Sequence, residues 1–184
     1  MIGQKSITYL VSILPFTFIL LNAYYNTDII NPFSYLITST GFIALTFLII
    51  IITIPIFKRL NQFFDRRILG LMTFTYSCIH LIIYVLDNNI SFTYLLADIL
   101  NLTYIQTGYL AFILFFPLVF TSTKTAQVVL KKNWFKIHKL IYLIISLSFL
   151  HYFLIIKADY GLFLTYLMLL LFILILKQWR TFNE

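Results

Sequence analysis

The chain has 184 residues, of which 61% are hydrophobic and only 10% charged, and its formal net charge is +7. Soluble domains are roughly half apolar and about a quarter charged, so this composition, with a mean hydropathy of +0.96, excludes an ordinary soluble protein. The single cysteine, Cys78, excludes an internal disulfide and a thiolate metal cluster. The sequence therefore predicts an integral membrane protein.

Six apolar stretches are long enough to cross about 30 Å of hydrocarbon as helices. In chain order, the predicted spans cover residues 6–23, 38–57, 68–86, 104–120, 137–156 and 162–176. The first stretch lacks an Ala-x-Ala cleavage site, so we expect a retained span and not a signal peptide. With no repeat or long linker, residues 1–184 are predicted to form one domain, an all-α bundle of six transmembrane helices.

Charged residues alternate between the two sides of this bundle. By the positive-inside rule, the side that carries nearly all the Lys and Arg is cytoplasmic. We therefore expect a multi-pass protein of the bacterial inner membrane with both termini in the cytoplasm. The positive charge thus reflects topology, and we expect no nucleic-acid partner. The basic loop 124–136 is either an interfacial helix on the membrane lipid or an ordinary topology signal. The opposite loops contain Asp28, Asp87, Asp98, Lys157 and Asp159.

Three histidines, His80, His138 and His151, lie in or at the edge of the apolar spans. An ionisable side chain in the hydrocarbon region is costly and is usually retained because it binds a ligand or moves charge. Neutral imidazole is a ligand for iron, copper and zinc and also a proton carrier. These residues are therefore the candidates for function.

Two of the histidines lie at the same predicted depth. His80 follows Arg67 by 13 residues, which is about 20 Å of helix. His151 follows Lys139 by 12 residues, or about 18 Å, whereas His138 should lie near the inner surface. A six-coordinate haem iron takes one axial nitrogen from each side of its macrocycle, so the pattern suggests His80 and His151 as metal ligands.

The residues alone leave a second explanation open, in which His80 and His151 only hydrogen-bond to neighbouring helices. The predicted spans contain no Asp or Glu, which counts against a cation- or proton-coupled transporter. The sequence also lacks the motifs of a membrane hydrolase or a nucleotide-binding enzyme.

Five short stretches together resemble the MsrQ (YedZ) family, the haem-binding membrane subunits of bacterial periplasmic methionine-sulfoxide reductase, within the ferric-reductase-like transmembrane superfamily. The arginine pair that ends 13 residues before His80 and the 13-residue interval from His138 to His151 are the most specific features. The stretches are Arg66-Arg67-Ile68-Leu69-Gly70-Leu71, Ile79-His80-Leu81, Phe120-Thr121-Ser122-Thr123, residues 134–143, and Leu150-His151-Tyr152.

This resemblance implies haem b, an FMN, and electron passage from the quinone pool or a cytosolic flavin reductase to a periplasmic molybdenum-containing reductase. It implies no catalytic residue for sulfoxide chemistry in this chain. One departure is Phe42, which stands where the family usually has an arginine. Larger ferric reductases hold two haems with two histidines on each of two helices. In this chain the helix of His80 has Arg66 or Arg67 where its inner histidine would be, so we expect only the outer pair, His80 and His151, to be complete.

The second candidate site consists of Arg66, Arg67 and His138 at the inner surface, where guanidinium groups suit the phosphate of FMN or the oxygens of a quinone. The two arginines could equally be topology anchors. Two alternative functions also remain open at this stage. One is a ferric or other metal reductase domain, and the other is a non-redox transporter or assembly factor with structural histidines.

Overall fold

The computed structural model describes residues 3–156 and 160–183, and within these ranges the regular structure is entirely helical. Lys157 and Asp159, which are predicted to lie in an outer loop, fall outside the described residues. The helices are α1 (Gln4–Tyr25), α2 (Pro32–Thr53), α3 (Lys58–Phe63), α4 (Arg66–Asp87), α5 (Phe92–Asn101), α6 (Thr103–Phe120), α7 (Lys124–Leu130), α8 (Lys132–His138), α9 (Leu140–Ile155) and α10 (Gly161–Asn183).

Six helical segments are long and apolar enough to span a membrane, which confirms the predicted bundle. They are α1, α2, α4, α6, α10 and the segment Lys132–Ile155, which comprises α8 and α9. The second span begins at Pro32 and ends at Thr53, so its predicted bounds of 38–57 were shifted towards the C-terminus. The Asn31 side chain explains the early start, because it accepts a hydrogen bond from the Ser34 N–H at 3.1 Å and caps the helix.

Two helix pairs form the centre of the bundle. Helix α4 packs chiefly against α2, and α9 packs chiefly against α6. Buried Leu, Ile and Phe side chains such as Leu48 and Ile144 fill the space between them. Helix α1 packs on the first pair, where the buried Tyr76 hydroxyl donates to the Ser12 carbonyl at 2.7 Å. The two pairs therefore face each other across the middle of the molecule.

Both ends of the described chain and the two basic loops meet at one end of the bundle, here called the basic end. The Gln4 side chain donates to the Asn61 carbonyl at 2.8 Å, and the Arg180 guanidinium donates to the Ile56 carbonyl. The basic loop 124–136 is helical, but it forms two short helices, α7 and α8, because Lys131 between them has a φ of 46°.

The opposite end of the bundle carries α5, a helix that the sequence analysis treated as a loop. Residues 88–91 join it to α4, and Leu102 alone separates it from α6. The Tyr84 hydroxyl at the end of α4 donates to the Asp98 carboxylate at 2.5 Å, which ties α5 to the bundle.

Candidate functional site

A cavity of about 540 Å³ lies between the two helix pairs, and both His80 and His151 line it. Its other walls come from α2 and α6 and are mainly apolar, with side chains such as Leu45, Ile105 and Phe115. This volume falls within the range of about 300–1,000 Å³ that is usual for small-molecule and cofactor sites.

The imidazole rings of His80 and His151 face each other at a short distance, as the matched depths predict. Their centroids are 6.2 Å apart, and the ring planes are inclined by 81°. Two imidazoles on opposite sides of one metal ion have ring centres about 6 Å apart, because the metal–nitrogen bond is about 2 Å and the nitrogen lies about 1 Å from the ring centre. The gap between the rings therefore fits a single metal ion.

Backbone carbonyls engage one nitrogen of each ring. His80 Nδ1 lies 2.9 Å from the Ile37 carbonyl oxygen, and His151 Nδ1 lies 2.6 Å from the Tyr104 carbonyl oxygen. A carbonyl oxygen can only accept, so each Nδ1 must carry the hydrogen. Each Nε2 is then the unprotonated nitrogen that a metal requires, in the arrangement by which outer hydrogen bonds orient metal-binding histidines.

The donor set distinguishes between a bare metal ion and a metal held in a macrocycle. Among residues 3–156 and 160–183, no group of three or more His, Cys, Asp and Glu side chains could hold a metal ion. Two histidines would leave a bare ion short of ligands, whereas a haem iron brings four nitrogens of its own and needs only two axial ones. The residues therefore fit haem, and His80 and His151 are the two side chains that would hold it.

Phe42, the residue that departs from the family pattern, also lines this cavity. Its ring makes an edge-to-face contact with Tyr152 at 5.1 Å and a tilted contact with Tyr166 at 6.0 Å. Such pairs contribute about 0.5–1.5 kcal/mol beyond burial. An aromatic wall thus stands where a charged side chain is expected.

His138 lies away from this cavity, at the basic end, and its surroundings differ. Its Nε2 is 3.2 Å from the Thr121 hydroxyl, which itself donates to the Pro117 carbonyl at 2.6 Å. The hydroxyl has one hydrogen, so His138 Nε2 is the donor in this contact. The Trp134 ring stacks on the imidazole at 4.0 Å. His138 is therefore held through Nε2, whereas the two cavity histidines are held through Nδ1.

Arg66 and His138, two of the three predicted residues, are close enough for their charges to interact. Arg66 lies within electrostatic reach of both His138 and Lys177, which gathers positive charge from three helices. The described hydrogen bond of Arg67 involves only its backbone N–H, which donates to Asp65 at 2.9 Å. Positive charge concentrated in this way attracts anions.

Sequence reasoning missed three features that shape the site. The carbonyls of Ile37 and Tyr104 cannot be recognised from residue type, because every residue carries a carbonyl. The Tyr84–Asp98 hydrogen bond depends on α5, whose ten residues are too few to suggest a span. Amphipathic spacing of Phe92, Leu96 and Leu100 was the available signal for that helix.

Comparison with known proteins adds a second line of observation. Residues 57–149 match the family model described as a ferric reductase like transmembrane component. The protein-methionine-sulfoxide reductase heme-binding subunit MsrQ of Xanthomonas oryzae pv. oryzae (strain MAFF 311018) is 39% identical over 127 residues, which cover 65% of this chain and 57% of that protein. This chain thus spans little more than half the length of that relative.

Two further proteins with the same name are also similar to this chain. The one from Herminiimonas arsenicoxydans is 32% identical over 154 residues, which cover 80% of this chain and 71% of that protein. The one from Caulobacter vibrioides is 37% identical over 138 residues, which cover 71% of this chain and 65% of that protein. No solved structure matches the chain.

Proposed function

The chain belongs to the ferric reductase-like transmembrane family and, within it, to the MsrQ family, and from this premise we propose that it is a membrane b-type cytochrome which passes electrons across the bilayer. It is a multi-pass protein of the bacterial inner membrane and a membrane redox subunit. The proposal concerns the cofactors, the direction of transfer and the partners.

The facing pair His80 and His151 is the observation that carries the proposal. Their ring centroids are 6.2 Å apart, and both Nδ1 atoms are engaged by backbone carbonyls. A histidine with a merely structural role would gain nothing from a second imidazole whose ring centre lies 6.2 Å from its own. The pair therefore favours metal ligation over the explanation that each histidine only bonds a neighbouring helix.

The residues of the cavity perform three tasks in this proposal. His80 and His151 would supply the two axial nitrogens from α4 and α9. The carbonyls of Ile37 and Tyr104 hold the rings in the required tautomer, and the apolar walls exclude water, which influences the reduction potential. Haem b, when bound, supplies a one-electron couple inside the membrane.

The inner part of the proposal assigns Arg66, Arg67 and His138 to a cofactor or donor site. The charge of Arg66 acts on both His138 and Lys177, and this concentration of positive charge supports the assignment, because it would attract the phosphate of FMN or the oxygens of a quinone. The electrons would come from the quinone pool or from a cytosolic flavin reductase. Both chain termini would then be cytoplasmic, in agreement with the basic residues at that end.

The acceptor in this proposal is a periplasmic molybdenum-containing methionine-sulfoxide reductase, whose catalytic subunit would repair oxidised proteins. The relatives are named as heme-binding subunits of a protein-methionine-sulfoxide reductase, which supports this choice. Residues 1–184 would act as a single electron-transfer domain with no residue for sulfoxide chemistry. The match to a ferric reductase component supports one other candidate, a metal reductase with a different acceptor.

An absorption spectrum of the full chain purified in detergent tests the proposal. We expect the α-band of a b-type haem after reduction with dithionite, and a pyridine haemochrome assay should give one haem per chain. The same protein produced in cells starved of haem precursor serves as the control for adventitious colour. Protein that folds in the membrane but contains no haem would rule out both redox functions and favour the transporter or assembly factor.

A further inference from the structure

Two glycines lie directly against the imidazole rings of the cavity. A Cβ atom added to Gly41 on α2 would lie 3.2 Å from Cε1 of His80. One added to Gly108 on α6 would lie 2.9 Å from Cε1 and from Nδ1 of His151. Ordinary van der Waals contacts of a Cβ atom begin at 3.4 Å, so any other residue type at either position would displace the ring.

Each glycine follows by four residues the carbonyl that holds the same ring. Ile37 precedes Gly41, and Tyr104 precedes Gly108. The carbonyl of one residue and the side chain four positions later lie on the same face of a helix, so each carbonyl and its glycine form one surface. We call this surface an imidazole seat, one on α2 (Ile37 and Gly41) and one on α6 (Tyr104 and Gly108).

The two seats use the same register in two different helix pairs. In each pair the first helix provides the seat, and the second helix, α4 or α9, provides the histidine. The carbonyl determines which nitrogen bears the hydrogen, and the absent Cβ determines how closely the ring approaches the helix. Together these two contacts fix both the tautomer and the orientation of each ring, and thereby the angle of 81° between their planes.

We propose that Gly41 and Gly108 are positioning residues for the axial histidines, and that the two imidazole seats set the ring orientation on which the spectrum and reduction potential of the haem depend. This inference rests on the proposed function, since it takes His80 and His151 as ligands of one haem. Nearly perpendicular axial imidazole planes give low-spin ferric haem a strongly anisotropic EPR signal, whereas nearly parallel planes give a rhombic one. The wild-type protein should therefore show the strongly anisotropic signal.

The first experiment replaces each glycine with alanine in the full chain. In Gly108→Ala we expect a several-fold loss of haem or a new EPR signal with a shifted midpoint potential, and in Gly41→Ala a smaller change of the same kind, because its Cβ contact is 0.3 Å longer. Gly70→Ala is the matched control, since a Cβ at Gly70 on α4 meets no atom within 4 Å. Its haem content, EPR signal and potential should equal those of the wild type.

A second experiment separates displacement of the ring from general misfolding. The thermal midpoint of Gly108→Ala should lie below that of the wild type. In a His151→Ala background the same glycine change should leave the midpoint where it is, because the ring that its Cβ would meet is absent. An equal loss of stability in both backgrounds would show that the glycine serves only helix packing and would overturn the proposal.

The remaining outcomes distinguish this proposal from the proposed function. Wild-type protein with haem, together with unchanged EPR signals and potentials in both Gly41→Ala and Gly108→Ala, would refute the role of the glycines and leave the cytochrome intact. Wild-type protein without haem would refute the proposed function and this inference with it.

Discussion

At the level of single residues, His80, His151 and His138 differ in the ring nitrogen that the protein engages. The two cavity histidines bond through Nδ1, whereas His138 bonds through Nε2 to the Thr121 hydroxyl and stacks on Trp134. An imidazole whose Nε2 already donates to a hydroxyl must give up that contact before it can bind a metal through the same atom. The three histidines are therefore unequal as candidate ligands.

This difference predicts the effect of removing each histidine. His80→Ala and His151→Ala should each abolish haem binding or convert the low-spin spectrum to a high-spin one, because each variant lacks one axial nitrogen. His138→Ala should keep the haem of the cavity, and it serves as the matched control. Full haem content with an unchanged low-spin spectrum in His151→Ala would disprove the pairing of His80 with His151.

The arginine pair provides a second prediction about residues. Arg66 lies within electrostatic reach of His138 and Lys177, whereas the described hydrogen bond of Arg67 is made by its backbone N–H. Arg66→Gln should therefore slow haem reduction by a quinol or by reduced FMN more than Arg67→Gln does, with haem content unchanged in both. Stopped-flow absorbance at the α-band measures the rate. Equal, wild-type rates in both variants would leave the arginines as topology anchors.

The shared level of His80 and His151 could be predicted from the sequence, because depth can be counted along a helix. Counting from Arg67 and Lys139 placed His80 and His151 at one level, and their ring centroids do lie only 6.2 Å apart. The carbonyl partners Ile37 and Tyr104 could not be predicted, since the rotation of one helix against another decides which carbonyl meets a ring.

At the level of elements, α5 is the helix that the sequence did not reveal, and several of its apolar side chains are exposed. Phe92 and Leu100 are 77% and 67% exposed, and the segment packs mainly on α6. One hydrogen bond, from the Tyr84 hydroxyl to the Asp98 carboxylate, ties it to α4. Because Tyr84 also lines the cavity, this bond connects the cavity wall to α5.

Removal of that bond should loosen α5 without disturbing the spans. Hydrogen bonds to charged groups contribute about 1.5–3 kcal/mol, and solvent near this end brings the expected loss in Tyr84→Phe to about 1 kcal/mol. Hydrogen exchange in detergent should become faster for residues 92–101 and stay unchanged in α2 and α6. Tyr94→Phe changes an exposed tyrosine of α5 and is the control. Equal exchange in both variants would show that packing on α6 alone holds the helix.

The bounds of the spans show where hydropathy stops being informative. The window for the second span followed its apolar residues, but the helix begins where Asn31 caps it and Pro32 provides a first turn. The fifth span likewise begins within the basic segment, because α8 continues into α9 with only a brief interruption at Lys139. Capping and turn residues determine the ends of a helix, and apolar length determines only its existence.

At the level of the whole molecule, the two candidate sites lie at different depths. Arg66 and His80 are 14 residues apart on α4, which is about 21 Å of helix. The cavity lies towards the end that carries α5, and the arginine cluster lies at the basic end. An electron donor and an electron acceptor would therefore meet the protein on opposite sides of the membrane.

Exposed carboxylates near the cavity define the charge that an acceptor would meet. Asp28 and Asp87 are exposed at that end, whereas the Asp98 carboxylate is occupied by Tyr84. Asp28 and Asp87 are thus exposed carboxylates that an acceptor docking at this end would meet. Charges at the rim of an interface change the association rate more than the affinity.

These features lead to a prediction about the partner. In liposomes, the dithionite-reduced protein should reoxidise when the periplasmic molybdenum reductase and a protein-bound methionine sulfoxide are both added on the side that bears α5. The double variant Asp28→Asn/Asp87→Asn should react more slowly than the wild type at low salt. At high salt the two rates should become similar, because salt screens the attraction between the wild-type carboxylates and the partner. Haem content, which does not depend on these surface groups, provides the internal control. If the partner fails to accelerate reoxidation while ferric chelates reoxidise the protein quickly, the metal-reductase function should replace the one proposed here.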